Sequence, residues 1–170
     1  MKKALIAFVL ALIAAAGAWA ADDVVGVWKS IDDKTGKPQT ITALYLHGGK
    51  LYGRILVTFE EGSVKDTIYA ANDRTKKFVG DPPYAGFDFV WALEDKGKSW
   101  NGTIFDPKEG KEYVCKVWLE GSTLIVRGQL KVLGIGRNQK WVKAAEEDLP
   151  SGFAVPDAST FTPSEPKLKK

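Results

Sequence analysis

From Val24 to Lys143 the chain repeats short runs rich in Val, Ile, Phe, Tyr and Trp, each closed by a cluster of Gly, Asp or Lys, and this rhythm points to an all-β fold. The spacing predicts eight strands at Gly26–Ile31, Thr40–His47, Leu51–Phe59, Phe87–Glu94, Lys98–Phe105, Glu112–Glu120, Thr123–Lys131 and Ile135–Lys143. Four connections have hairpin length and carry a Gly able to take positive φ: His47-Gly48-Gly49-Lys50, Asp95-Lys96-Gly97-Lys98, Asp106-Pro107-Lys108-Glu109-Gly110 and Glu120-Gly121-Ser122. Successive hairpins mean an antiparallel meander.

Alternation assigns the faces. Leu51, Gly53, Ile55, Val57 and Phe59 share one side of their strand, as do Phe87, Phe89, Trp91 and Leu93; Trp100, Gly102 and Ile104; Tyr113, Cys115, Val117 and Leu119; and Leu124, Val126, Gly128 and Leu130. A meander with one dry face buries it by closing into an up-and-down barrel, which also removes the exposed edges. The expectation is a barrel of about 8 to 10 strands, with a two-sheet sandwich as the alternative. An outer-membrane barrel would need an apolar band facing outward, whereas here the polar face is the outer one.

The N-terminus predicts export. Met1-Lys2-Lys3, the apolar Ala4–Ala16 and the small-x-small site Ala18-Trp19-Ala20 read as a signal peptide over residues 1–20, too short an apolar run to span a membrane. The location expected is therefore periplasmic or secreted. Removing residues 1–20 from the 170 leaves 150, enough for one domain, read as a barrel over 21–143 and a polar, proline-containing tail over 144–170 that wraps loosely or is disordered. Without Lys2 and Lys3, 22 of the 24 Lys and Arg face 21 Asp and Glu, so no concentrated basic face for nucleic acid is expected.

Catalytic signals are sparse. His47, the only histidine, falls at a strand end beside Gly48-Gly49 and reads as a turn residue. Cys115, the only cysteine, sits in an apolar strand and reads as a small buried hydrophobe. One His and one Cys make no usual zinc site, Asp32-Asp33-Lys34-Thr35-Gly36-Lys37 lacks the alternating ligands of a calcium loop, and Gly134-Ile135-Gly136-Arg137 lacks the context of a phosphate cradle. The chain is expected to be no enzyme and to hold neither metal nor cofactor. Glu60–Gly86 breaks the strand rhythm and is expected to be a lid, a capping segment or a short helix with a strand of its own, with a passive excursion as the plain alternative.

Two constellations remain. Parity places Phe89, Trp91, Trp100, Ile104, Tyr113, Val117 and Val126 on the inner face, with Gly102 and Gly128 leaving room among them, a set suited to lining a pocket for a small hydrophobic ligand. At the two ends of the strand series, Trp28 can meet the last strand, whose Arg137, Gln139 and Trp141 share a face. An inward guanidinium there would need an aromatic cover, and a solvent-facing Arg137 and Gln139 is the alternative.

Gly26-Val27-Trp28, Asp32-Asp33-Lys34-Thr35-Gly36-Lys37-Pro38, Leu51-Tyr52-Gly53-Arg54-Ile55, Trp100-Asn101-Gly102-Thr103-Ile104-Phe105-Asp106-Pro107, Gly110-Lys111-Glu112-Tyr113, Leu124-Ile125-Val126-Arg127-Gly128 and Gly136-Arg137-Asn138-Gln139-Lys140-Trp141 occur in that order. The succession resembles the bacterial exported family catalogued as domain of unknown function 2147, and it implies a lipocalin-like, or calycin-type, barrel without implying an activity. The Gly-x-Trp opening is similar to that of lipocalins, in which the Trp packs near the closed end beneath an Arg from the last strand. The resemblance assigns those roles to Trp28 and Arg137. The Asn72-Asp73-Arg74 and Asp81-Pro82-Pro83-Tyr84 stretches depart from the family pattern. The function expected is an exported binding protein for a small, largely apolar ligand; the alternative is a cell-envelope structural or interaction module with a filled core.

Overall fold

The computed structural model describes residues 21–170; the expected signal peptide lies outside the described residues. Nine strands follow in chain order: β1 Gly26–Ile31, β2 Pro38–His47, β3 Lys50–Glu60, β4 Ser63–Thr67, β5 Asp88–Asp95, β6 Trp100–Asp106, β7 Lys111–Glu120, β8 Thr123–Gln129 and β9 Gly136–Lys143. Every expected strand is present, and β4 is the addition. All pairings are antiparallel, and Trp28, Lys29 and Ser30 of β1 pair with Lys143, Val142 and Trp141 of β9. This pairing closes an eight-strand up-and-down barrel, β1-β2-β3-β5-β6-β7-β8-β9, with β4 hydrogen-bonded outside the ring to the end of β3.

Strict alternation holds in β6 to β9, where Gly102, Cys115 and Gly128 lie side by side and Val117, Val126 and Gln139 form the next row. It fails in β3 and β5, because each carries bulges. Ile41 pairs with Val57 but Thr42 with Ile55, so Leu56 is an extra residue and the faces exchange beyond it. Val57, expected inside with Leu51, therefore joins Ile41, Ala43, Tyr45 and Leu56 in an outer cluster against which Phe59 also packs, while Thr58 stands opposite Thr40. In β5, Asp88 pairs with Arg54 but Val90 with Gly53, and Ala92 takes a left-handed φ of 50°. These two bulges bury Phe89, Val90 and Leu93 in the inner core and turn Trp91 outward, where it meets the Tyr52 ring edge-on at 5.0 Å.

The outer cluster is covered by the C-terminal segment, whose Leu149, Phe153, Ala158 and Phe161 pack on β2 and β3. The tail is a strap rather than a loose wrap. Buried Asp88 accepts from Tyr45 Oη at 2.9 Å, Arg54 Nε at 2.8 Å, Arg54 Nη2 at 2.7 Å and the Ser164 N–H at 2.8 Å. Arg54 also donates to the Thr162 carbonyl at 2.8 Å and lies over the Phe161 ring at 4.4 Å. Such complete coordination offsets the desolvation of a buried carboxylate. Lys29 adds an ion pair to Asp148, and Phe78 forms a β-bridge with Leu168.

Residues 61–87 form a folded wall. In β4, the Asp66 carboxylate accepts from the N–H of Asn72 at 3.2 Å and of Asp73 at 2.9 Å, pinning the turn that follows. Phe78 packs against Phe87 and Phe105 at 4.8 and 5.9 Å. The segment contributes a strand, as expected, and no helix.

Candidate functional site

The two ends of the barrel differ in filling. Trp28, Leu44, Leu51, Leu93, Trp100, Val117 and Leu124 pack the end where β1 begins and β9 finishes, and Val24 of the preceding 3-10 turn accepts the Trp28 indole N–H at 2.8 Å. The other half is hollow. An open cavity of about 1220 Å³ runs from a floor that includes Trp141 and Phe89, stacked at 5.9 Å, out to the loops Ile31–Pro38, 61–87, Asp106–Lys111 and 129–136.

Its walls are of two kinds. Ile55, Phe89, Ile104, Phe105, Tyr113, Val126 and Gly128 make an apolar side, and Ser30, Thr40, Thr58 and Gln139 a polar one. The hydroxyls of Ser30 and Thr40 share a hydrogen bond of 2.8 Å, and Gln139 Oε1 accepts the Trp141 indole N–H at 3.3 Å. The rim is charged and internally paired: Lys37 with Glu61 at 2.6 Å, Lys65 with Glu60 and Asp73 at 2.7 and 2.8 Å, and Arg137 with Asp33 at 3.0 Å. The N–H groups of Thr35 and Lys34 hold the Asp32 carboxyl below the usual carboxylate range. The Lys37 ammonium does the same for Glu61.

Of the seven residues expected to line a pocket, Phe89, Ile104, Tyr113 and Val126 do so. Trp100 and Val117 face inward as expected but belong to the packed end, and Trp91 is outside because of the β5 bulges. Gly128 leaves room: a Cβ there would meet nothing nearer than Ile104 Cγ2 at 3.5 Å. Gly102 does not, because the bulged backbone of β5 fills its space, with Leu93 Cα 2.8 Å and the Trp91 carbonyl 3.0 Å from a built Cβ.

The expected contact of Arg137 with Trp28 is replaced. Antiparallel pairing sets the start of β1 beside the end of β9, so the cation over the Trp28 ring is Lys143, its Nζ 4.1 Å from the centroid and 3.1 Å from the Val25 carbonyl it donates to. Burial there lowers the Lys143 ammonium pKa, with Asp23 opposing. Arg137 sits at the rim, and with Gln139 and Trp141 it lines the cavity. His47 lies on the closed-end hairpin, away from the cavity. Cys115 is buried, and burial pushes its thiol pKa up.

A family model described as "Uncharacterized protein conserved in bacteria (DUF2147)" matches residues 26–143. No curated protein matches the sequence. Among solved structures, protein HP1028 from the human pathogen Helicobacter pylori, described as belonging to the lipocalin family, superposes with a TM-score of 0.58 over 73% of this chain and 84% of its own, at 19% identity. At that identity the likeness shows a shared lipocalin-like fold.

Proposed function

We propose that this chain, which belongs to the DUF2147 family of bacterial proteins, is an exported, non-catalytic binding protein that holds one small, largely apolar ligand in the mouth half of its barrel. The observation that carries the reading is the half-filled interior. Small-molecule sites commonly enclose about 300–1,000 Å³ behind mostly apolar walls with a few placed polar groups. A cavity of about 1220 Å³ over an aromatic floor offers that and a wide entrance. A hydrocarbon or aromatic body would lie against Phe89, Ile104 and Val126, and a polar group would find Thr40, Thr58 and Gln139 opposite. Export is supported by Lys2-Lys3, the apolar stretch and Ala18-Trp19-Ala20. The remoteness of His47 and the inert Cys115 thiol favour binding without catalysis.

The test is a titration of delipidated protein with an environment-sensitive apolar dye, followed by displacement with fatty acids. Saturable binding is expected, weakened about tenfold or more by Gly128→Leu, whose side chain projects into the cavity between Ile104 and Tyr113, and unchanged by Lys116→Ala on the outer face. Absence of saturable binding, or equal binding by Gly128→Leu, would overturn the reading.

A further inference from the structure

The tip of the β8–β9 hairpin is built unlike the other turns of the barrel. Leu130-Lys131-Val132-Leu133-Gly134-Ile135 forms a closed turn, with the Leu130 N–H donating to the Ile135 carbonyl at 2.9 Å and the Gly134 N–H to the Leu130 carbonyl at 3.1 Å. Four large aliphatic side chains stand in water on it: Val132 is 92% exposed, Leu133 67%, Ile135 65% and Leu130 44%. The turns at 48–49, 96–99, 107–110 and 121–122 carry Gly, Lys, Ser, Glu and Pro instead. An apolar cluster of this kind marks a surface that another apolar phase covers.

Charge identifies that phase. From Thr123 to Lys140 the hairpin holds four cations, Arg127, Lys131, Arg137 and Lys140, and no Asp or Glu; Lys143, at the far end of β9, lies over Trp28 and takes no part. Glu112 and Asp33 from neighbouring segments pair with Lys131 and Arg137, while Arg127 and Lys140 have no carboxylate partner among the described residues. Both lie on the outer face, where Lys116 of β7 is directly opposite Arg127. Exposed aliphatics at a tip, backed by cations on the shaft, complement an anionic bilayer: the tip enters the acyl boundary and the cations meet phosphate.

We propose that the β8–β9 tip docks the protein on an anionic phospholipid surface, mouth first. Ile135 belongs to the exposed tip and also lines the cavity together with Gly136 and Arg137, so the inserted hairpin brings the entrance to the lipid. The membrane contact stands on the hairpin alone. Its use, transfer of an amphiphile between bilayer and cavity, rests on the binding reading above.

Flotation with vesicles tests the contact. The purified protein is expected to float with phosphatidylglycerol-containing vesicles and to bind pure phosphatidylcholine vesicles markedly less. Val132→Asp with Leu133→Asp should reduce flotation about tenfold or more, and the uncharged pair Val132→Ser with Leu133→Ser should reduce it too. Val155→Asp, which adds charge at an exposed valine elsewhere, should leave it unchanged. Dye binding by the tip variants without vesicles should match the parent, since Val132 and Leu133 do not line the cavity. Flotation that survives both double variants, no flotation of the parent, or equal binding to both lipids overturns the docking proposal. Flotation without dye binding leaves docking in place and removes the carrier role.

Discussion

The same eight strands build a packed end and a hollow end, and the difference lies in which side chains meet across the ring. At the packed end, bulky residues interlock: Trp28 under Lys143, with Leu44, Leu93, Trp100 and Leu124 filling the remainder. At the mouth the corresponding rows carry Ser30, Thr40, Thr58, Gln139 and Gly128, too short or too polar to close the gap. On the proposed reading, the barrel separates stability from binding along its own axis: one end provides the rigid core, and the other leaves room for a ligand.

That division predicts unequal responses to similar mutations. The largest contrast should be between large-to-small changes: Trp28→Ala opens a void in a closed core and is expected to cost about 3–5 kcal/mol, whereas Ile104→Ala, on a wall already facing open space, should cost about 1 kcal/mol. Urea denaturation of both variants checks this, and equal losses would mean that the mouth half is packed in solution. Glycines come next. Gly102→Ala pushes a methyl into the β5 backbone and should cost about 1–3 kcal/mol, while Gly128→Ala meets only ordinary contacts and should stay within about 0.5 kcal/mol of the parent.

The outer wall sharpens the comparison through pH. Burial, and then the Asp88 carboxylate, raise the pKa of Tyr45 above its ordinary value. The unfolded phenol, with a pKa of about 10, then loses its proton before the folded one. Stability from this group is complete below that pH and is lost as pH rises above it. Tyr45→Phe should cost about 1–2 kcal/mol at neutral pH, through the lost hydrogen bond to Asp88, and should flatten the alkaline decline seen in thermal melts from pH 9 to about 11. The smallest contrast is between the two cations of β9. Lys143→Ala should cost about 0.5–1 kcal/mol through its aromatic contact, and Arg137→Ala, a rim residue in an exposed ion pair, at most about 0.5 kcal/mol.

How much of this was legible in the chain follows from where alternation is strict. In β6 to β9 each residue advances the faces by one, and counting places Ile104, Tyr113 and Val126 in the cavity, where they lie. A bulge adds one residue without a composition signal, so counting through Leu56 or Phe89 sends Val57 and Trp91 to the wrong side. Lys143 had a readable signal: in an antiparallel ring the third residue of the first strand faces the end of the last, not its beginning. The strap was hidden because its anchors, Arg54 and Asp88, read individually as outward polar residues of separate strands; only the fold makes them a pair. The half-empty interior was not legible either, since the same aromatics could fill a barrel or floor a cavity.

Barrel closure has a consequence for how the molecule forms. The Lys143 ammonium caps the Val25 carbonyl from 118 residues away in sequence, and the strap then fastens to Asp88 from beyond the last strand. Before that contact, β1 lacks its second neighbour and Trp28 lacks its lid, so the loop-closure entropy of nearly the whole chain is lost before the packed end gains its full burial. Until β9 pairs with β1, the first eight strands form an open sheet with unpaired edges. Closure of the ring by β9 and fastening of the strap are thus the contacts that complete the packed end.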